Sequence, residues 1–317
     1  MRRFFISGLL VAGLVVLVGV GFLAWIGSEG GLTPVSPASE GTRDIQAIYV
    51  FIGAFASAIF LAVTIPLVLF AIRFRRGERD RDVEGPQIRG HTRLELTWTA
   101  IPILILVAIA AFTFVKLPSI QAADSPELVV QVEGRQFYWR FVYPNGVVSF
   151  DTLRVPVDTL VRLEISSPEQ DVIHSFWVPA LGGKMDAIPG VDNELNFRAI
   201  RTGSFQGKCA ELCGIQHGAM LATAEVLDQA EFDAWLAREA AGQGGLGRQI
   251  FDRVCSKCHF AAPEYAPNIA GNPILQDADA LRDLLRNGRG RMPDVGATWT
   301  EAELDALIEH LGGADGG

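Results

Sequence analysis

The stretch Cys209-Ala-Glu-Leu-Cys213-Gly-Ile-Gln-His217-Gly-Ala-Met220 places two thiols, an imidazole and a thioether within twelve residues. Sulfur and imidazole ligands suit copper or zinc far better than magnesium or calcium. Gly214, next to the second cysteine, lets the backbone turn around an ion, which predicts a metal-binding loop between two strands. His174 lies about thirty-five residues earlier, near the start of an apolar strand, and supplies a second imidazole.

Two simpler interpretations of this loop stay open on spacing alone. Two cysteines and two histidines can form one tetrahedral zinc site. Cys209 and Cys213 can also form a disulfide if the domain faces an oxidising compartment. The disulfide gives Met220 no role.

A second motif, Cys255-Ser-Lys-Cys258-His259, has the spacing that attaches a c-type haem. The two cysteines form thioether bonds, and His259 ligates the iron. A redox-active dithiol is the competing interpretation of Cys-x-x-Cys, but the histidine that follows immediately favours haem. Met292, on a loop bounded by glycine and proline, is the predicted sixth ligand of the iron.

The pattern of short segments predicts a membrane-anchored, multidomain protein. Residues 118–241 contain an antiparallel β-sandwich, because β-branched and aromatic runs such as Glu127–Glu133, Thr159–Ser166 and Asn193–Ile200 are separated by Pro, Gly and Asn. A helix follows at Ala230–Ala241. The glycine-rich run 242–247 predicts a flexible linker, and 242–317 form an all-α domain that ends in a helix with a Thr300–Glu303 capping box.

Three apolar runs, Phe4–Ile26, Ala47–Ile72 and Trp98–Leu117, are each long enough to cross a bilayer. The first, within residues 1–27, is either a signal peptide or an extra transmembrane helix. The other two predict a transmembrane hairpin over 44–117. The loop between them is rich in arginine, which places it in the cytoplasm and both flanking ends outside; its arginines are Arg73, Arg75, Arg76, Arg79, Arg81, Arg89 and Arg93.

Charge is divided unevenly along the chain. Residues 118–317 carry 16 basic and 28 acidic residues, whereas residues 1–117 carry 11 and 8. An acidic exterior suits a basic protein partner and argues against nucleic acid binding.

Three segments together resemble subunit II of the haem-copper cytochrome c oxidases. These are His174-Ser-Phe-Trp-Val-Pro, Lys184-Met-Asp-Ala-Ile-Pro-Gly, and the cysteine loop through Met220, and the resemblance covers roughly residues 44–227. The appended haem motif resembles the fused, caa-type subunit II with a C-terminal cytochrome c domain. The resemblance implies a cupredoxin sandwich on two transmembrane helices.

The resemblance also implies a dinuclear copper centre, copper A. Matched by position, the implied ligands are Cys209 and Cys213 bridging both ions, His174 and His217 on one ion each, and Met220 and the Glu211 carbonyl as the weaker ligands. The Glu211 carboxylate is implied in a magnesium or manganese site at the contact with subunit I. Glu95 matches a glutamate at the entry of a proton path; a carboxylate that interacts with the helix N-terminus is the plainer interpretation.

The function implied is that of the electron-transfer subunit of a proton-pumping cytochrome c oxidase in the bacterial inner membrane. Its copper and haem domains would lie on the periplasmic side, with membrane lipid, subunits I and III and an external cytochrome c as partners. Phe137 stands where the family usually has the tryptophan through which a soluble cytochrome delivers electrons. Two alternatives remain: the copper A subunit of a nitric oxide reductase, and a membrane-anchored electron carrier without a catalytic partner.

Overall fold

The computed structural model describes residues 35–73, 87–121, 125–242, 245–261 and 266–313. The first apolar run, with its signal-peptide or extra-helix prediction for residues 1–27, lies outside the described residues, as do the loop arginines Arg75, Arg76, Arg79 and Arg81. The described chain separates into two compact units. One contains Arg43–Ile120, and the other contains Ser36–Thr42 with Gln121–Gly317.

The first unit consists of two long apolar helices, α1 at Glu40–Arg73 and α2 at Thr92–Gln121. Lys116, near the end of α2, forms an ion pair of 2.8 Å with Asp44 near the start of α1. The rings of Phe51 and Phe112 pack with centroids 4.5 Å apart. The helices therefore form an antiparallel hairpin, and both are long and apolar enough to cross a membrane.

The second unit is built around two five-stranded sheets. Strand order is β3-β2-β1-β5-β8 in the first sheet and β4-β10-β9-β6-β7 in the second. Most neighbours are antiparallel, but β1 pairs with β5, and β10 with β4, in parallel. The strands are Leu128–Arg135, Tyr138–Val142, Val148–Phe150, Thr152–Pro156, Leu160–Ser166, His174–Trp177, Met185–Ala187, Asn193–Arg198, Gly203–Cys209 and Leu221–Leu227 for β1 to β10.

Alternating burial along the strands shows which face of each sheet turns inward. In β5 the inward side chains are Val161, Leu163 and Ile165, each fully buried. Between the sheets, Trp139 of β2 contacts Phe176 of β6 edge-on, with ring centroids 5.0 Å apart. This aromatic contact fixes β6, and with it His174, against the opposite sheet.

The predicted helix after the sandwich is confirmed as α3, Gln229–Ala240. It packs Phe232 and Trp235 against Tyr143, with ring centroids of Tyr143 and Trp235 5.0 Å apart. The C-terminal region is helical, as predicted. Its elements are α4 at Leu246–Ile250, a π-helical turn at Phe251–Cys255, α5 at Ser256–His259, a 3-10 turn at Pro273–Gln276, α6 at Ala278–Asn287 and α7 at Glu301–Gly313.

The predicted capping box at the start of α7 is confirmed. The Thr300 amide donates to Glu303 Oε2 at 2.7 Å, and the Glu303 amide donates to Thr300 Oγ1 at 3.3 Å. Leu304 and Leu307 lie on the buried face of this helix, in one apolar cluster with Ile250.

That cluster also includes two residues of the sandwich, Tyr138 and Phe150. The Tyr138 hydroxyl donates to the Val295 carbonyl at 2.6 Å and accepts from Trp299 Nε1 at 2.9 Å. The C-terminal helices therefore pack directly on the first sheet.

Candidate metal centre and haem site

The soft ligands predicted from the cysteine loop come together at one end of the second sheet. β6 begins at His174 and β9 ends at Cys209, and the two strands pair with Phe176 opposite Cys209. The loop from β9 to β10 then carries Cys213 and His217 and returns at Met220. Strand pairing thus brings the distant histidine to the loop.

The ligand atoms lie within a few ångströms of each other. The Sγ atoms of Cys209 and Cys213 are 3.9 Å apart, and the Nδ1 atom of His217 is 3.6 Å from Cys213 Sγ. Met220 Sδ is 3.7 Å from the same Cys213 sulfur, and the Glu211 carbonyl is 3.2 Å from Cys209 Sγ. His174 belongs to the same group, because its ligand atom and the two sulfurs lie within 4.8 Å of one another.

The cluster fits copper ions on three observations. His174 Nδ1 is buried and finds no hydrogen-bond partner among the described residues, as expected of a nitrogen that serves as a ligand. The contact between the two sulfurs lowers the pKa of Cys209 and raises that of Cys213, so without a metal one sulfur of the pair favours the thiolate form that a metal requires. Six donor atoms are more than one tetrahedral zinc ion needs.

The structure does not contain the alternative disulfide between Cys209 and Cys213. Both cysteines are free thiols, and their sulfur separation is nearly twice a disulfide bond length of about 2.05 Å.

A buried pair of charges supports the copper-site histidine, and sequence reasoning missed it. Asp171 Oδ1 contacts His174 Nε2 at 3.3 Å, and the Arg135 guanidinium lies 3.5 Å from Asp171. Although burial opposes the charge, the hydrogen bond to Asp171 raises the pKa of His174. Asp171 thus holds Nε2 of the ring and leaves Nδ1 available as a ligand. The sequence signal for this role was the position of Asp171, three residues before His174.

The two other predicted carboxylates are exposed. The Glu211 side chain points to solvent, while its carbonyl faces the cluster. Glu95 lies in the first turn of α2, where its Oε1 accepts from the His91 amide at 2.9 Å. That hydrogen bond matches the helix-start interpretation.

The haem motif opens on a cavity of about 670 Å³. Cys255, Cys258, His259 and Met292 all line this cavity, so the predicted attachment residues and both predicted iron ligands face one space. Part of the wall comes from the sandwich and the copper-site loop, through Gln136, Phe137, Ile215 and Gln216.

Local geometry favours haem over a redox dithiol. Burial raises the pKa of the Cys255 thiol to about 12, and it also raises the pKa of Cys258. A redox-active Cys-x-x-Cys pair needs a lowered thiol pKa. His259 Nδ1 lies 2.7 Å from the Pro267 carbonyl, which fixes the ring and leaves Nε2 for an iron.

Replacing Met292 with alanine is expected to open the sixth position of the haem iron. The thioether that closes the iron to external ligands would be lost. Carbon monoxide should then bind the reduced haem c, and the methionine-to-iron absorption band should disappear. A variant with the spectrum and carbon monoxide response of the parent would show that another residue is the ligand.

Ion pairs connect the sandwich to the haem-binding helices. Arg140 Nε and Nη2 donate to the two Glu303 oxygens at 2.7 and 2.9 Å, and both side chains are buried. Lys257, between the two haem cysteines, lies 2.5 Å from Asp151. Arg135 also reaches Asp294, at 3.3 Å, two residues after Met292.

Comparison with protein families gives matches along most of the chain. The family model described as cytochrome c oxidase subunit II, transmembrane domain, matches residues 30–115, and that of the periplasmic domain matches 150–227. A third, described as cytochrome c oxidase, cbb3-type, subunit III, matches 243–311. The models imply copper A in the sandwich, haem c in the C-terminal region, and a membrane-anchored protein with a periplasmic domain.

Two curated relatives extend this likeness over most of the chain. The chain is 36% identical to cytochrome c oxidase subunit 2 of Alkalihalophilus pseudofirmus, covering 88% of this chain and 89% of that one. It is 31% identical to the subunit 2 of Synechocystis sp., covering 68% and 78%. A crystal structure of the periplasmic domain of subunit II of cytochrome oxidase from Bradyrhizobium japonicum matches with 32% identity and a TM-score of 0.36, over 38% of this chain and 98% of that one.

Proposed function

Since this chain belongs to the family of cytochrome c oxidase subunit II, we propose that it is the electron-entry subunit of a proton-pumping oxidase. It takes electrons from a cytochrome c and delivers them to the haem groups of subunit I, where oxygen is reduced to water. One observation carries the proposal. A single compact unit contains the soft-ligand cluster and the haem cavity, and Gln136 and Phe137 contact both.

The residues that would hold the copper ions are His174, Cys209, the Glu211 carbonyl, Cys213, His217 and Met220. Those that would hold haem c are Cys255 and Cys258 through thioethers, with His259 and Met292 on the iron. When bound, these groups supply one-electron transfer, and their ligand sets leave no position for a substrate.

The surrounding residues keep the ligands in place. Trp139 and Phe176 pack against the strand that carries His174, and Asp171 fixes the orientation of its ring. Met220, Cys213 and Cys209 are almost completely buried, which excludes water from the sulfurs. Ligands held this rigidly would change position little on reduction of a bound metal, which would favour rapid electron transfer.

The remaining assignments extend the proposal to the intact complex. The exposed Glu211 carboxylate would contribute to a magnesium or manganese ion at the contact with subunit I, and Glu95 would lie at a proton-path entry. Subunit III and an external cytochrome c are the further partners. The chain would span the bacterial inner membrane more than once, with the copper and haem domains on the periplasmic side.

Purification of the full chain from its native membrane tests the proposal. We expect it to be isolated with a large haem-containing subunit and to contain two copper ions and one covalent haem per chain. The complex should consume oxygen with reduced cytochrome c, and its electron paramagnetic resonance should show one electron shared by two copper ions.

Three results would contradict this function. Isolation as a single chain would favour a membrane-anchored carrier. Consumption of nitric oxide instead of oxygen would favour the nitric oxide reductase. Signals from mononuclear copper alone, in fully loaded protein, would reject the dinuclear site.

A further inference from the structure

Lys257 lies inside the haem-attachment motif, between Cys255 and Cys258, and lines the cavity, yet its ammonium reaches the sandwich. Its Nζ lies 2.5 Å from Asp151 Oδ2 and donates to the Phe137 carbonyl at 2.9 Å. The lysine side chain is 16% exposed and that of Asp151 is 5% exposed. A buried ammonium needs a fixed carboxylate and further hydrogen bonds, and Lys257 has both.

The sandwich holds Asp151 rigidly to receive this lysine. Asp151 Oδ1 accepts from the Trp139 amide at 2.9 Å, and its own amide donates to the Trp139 carbonyl at 2.8 Å. Its carbonyl accepts from the Thr223 amide at 2.8 Å. These bonds fix the carboxylate from both sheets, so the position of Lys257 follows from the position of the sandwich.

The second acceptor of Lys257 leads towards the copper-site loop. Gln136, which precedes Phe137, donates from Nε2 to the Cys213 carbonyl at 2.6 Å. The Phe137 ring lies against Gly214, where an added Cβ would come within 3.1 Å of it. Two hydrogen bonds, joined by the side chain of Lys257, the Phe137 and Gln136 backbone and the side chain of Gln136, therefore connect the haem-attachment motif to the Cys213 carbonyl.

The geometry points to Lys257 as a positioning residue that fixes the haem-attachment helix against the copper domain and completes a hydrogen-bonded route to Cys213 through Phe137 and Gln136. This inference rests on the proposed function. Because Lys257 lies between Cys255 and Cys258, an ammonium held by the sandwich restrains the short segment that carries both cysteines. The position of this segment against the copper-site loop therefore depends in part on this side chain, while other ion pairs hold the later helices.

The test compares Lys257→Met with the parent in the intact oxidase, loaded with haem and copper. An electron is placed on haem c by flash photoreduction, and its transfer to copper is followed by absorbance. We expect transfer to slow by roughly tenfold, because its rate depends on how donor and acceptor are positioned. Lys257→Arg, which keeps the charge and the donors, should restore most of the rate.

Two further readouts separate positioning from general damage. Amide hydrogen exchange should rise in α5 and in the turn Gln136–Tyr138, while the methionine-to-iron band of haem c stays unchanged. The matched control is Arg248→Gln, which removes a cation from the same region at a side chain that is 77% exposed; it should leave rate and exchange unchanged.

If Lys257→Met does not mature, Asp151→Asn provides the same test. It keeps an oxygen for the Trp139 amide and removes the charge that Lys257 meets, so it should slow transfer similarly. Parental rates and exchange in either variant would overturn the inference, and so would equal slowing in Arg248→Gln. Absence of haem-to-copper transfer in the parent would instead reject the proposed function.

Discussion

Replacing Cys213 with serine is expected to remove the copper centre and reduce oxidation of cytochrome c to background. Cys213 Sγ lies within 3.6 to 3.9 Å of donor atoms of Cys209, His217 and Met220, so it is the common neighbour of the cluster. Copper prefers soft thiolate ligands, and a serine hydroxyl is neither soft nor ionised at neutral pH. Copper content, the shared-electron resonance signal and oxygen consumption measure the loss.

The covalent haem provides an internal control for this variant. Cys255 and Cys258 lie outside the copper loop, so haem attachment and the haem spectrum should match the parent. The haem should stay reduced when reduced cytochrome c is supplied, because electrons can enter but not leave. A serine variant that keeps two copper ions and normal turnover would remove Cys213 from the ligand set.

Replacing Glu303 with alanine is expected to destabilise the packing of the C-terminal helices on the sandwich by about 3–5 kcal/mol. Glu303 is 1% exposed and accepts two hydrogen bonds from the buried Arg140 guanidinium. Without it, the ion pair left to Arg140 within the described part of the chain is the longer contact with Glu133, at 3.5 Å. The same change removes the capping box of α7, which adds to the loss. Urea unfolding followed through haem absorbance measures the effect.

Helix α7 offers a matched control two residues away. Glu301 pairs with Arg282 and Arg286, but its side chain is 67% exposed, so Glu301→Gln should cost far less. The double variant Arg140→Met with Glu303→Met should recover much of the stability, because a buried pair replaced by apolar side chains is often close to neutral. Equal losses in Glu303→Ala and Glu301→Gln would contradict a buried role for this pair.

Features confined to a short stretch of chain were predictable from the sequence. The cysteine loop contains most of the predicted metal ligands within twelve residues, and the haem motif is contiguous. Spacing alone therefore indicates metal binding in the first and haem attachment in the second. The strands and the α7 capping box follow from local residue preferences, and the structure confirms them. His174 was predicted as the second imidazole from its residue type, but its approach to the loop depends on the pairing of β6 with β9, which the spacing does not show. The domain limits remain predictions.

The contacts between the two halves of the second unit were not predictable. Glu303 was interpreted only as a capping residue, and Arg140, 163 positions earlier, had no predicted role. Whether such charges are buried depends on which face of the sheet meets which face of the C-terminal helices. Local sequence does not encode this pairing. The glycine-rich run at 242–247 predicts a flexible tether that keeps the haem nearby, but buried contacts also hold the helices on the sandwich.

Strand β2 has two neighbouring aromatic residues with different surroundings. The side chain of Trp139 points into the sandwich, beside the copper-site histidine, and that of Tyr138 points out into the cluster formed by the C-terminal helices. One strand therefore contributes to two cores. A recombinant carrying an unrelated cytochrome in place of the C-terminal region would leave Tyr138 and Phe150 uncovered, so any replacement must present an apolar surface that fits this face of the sheet.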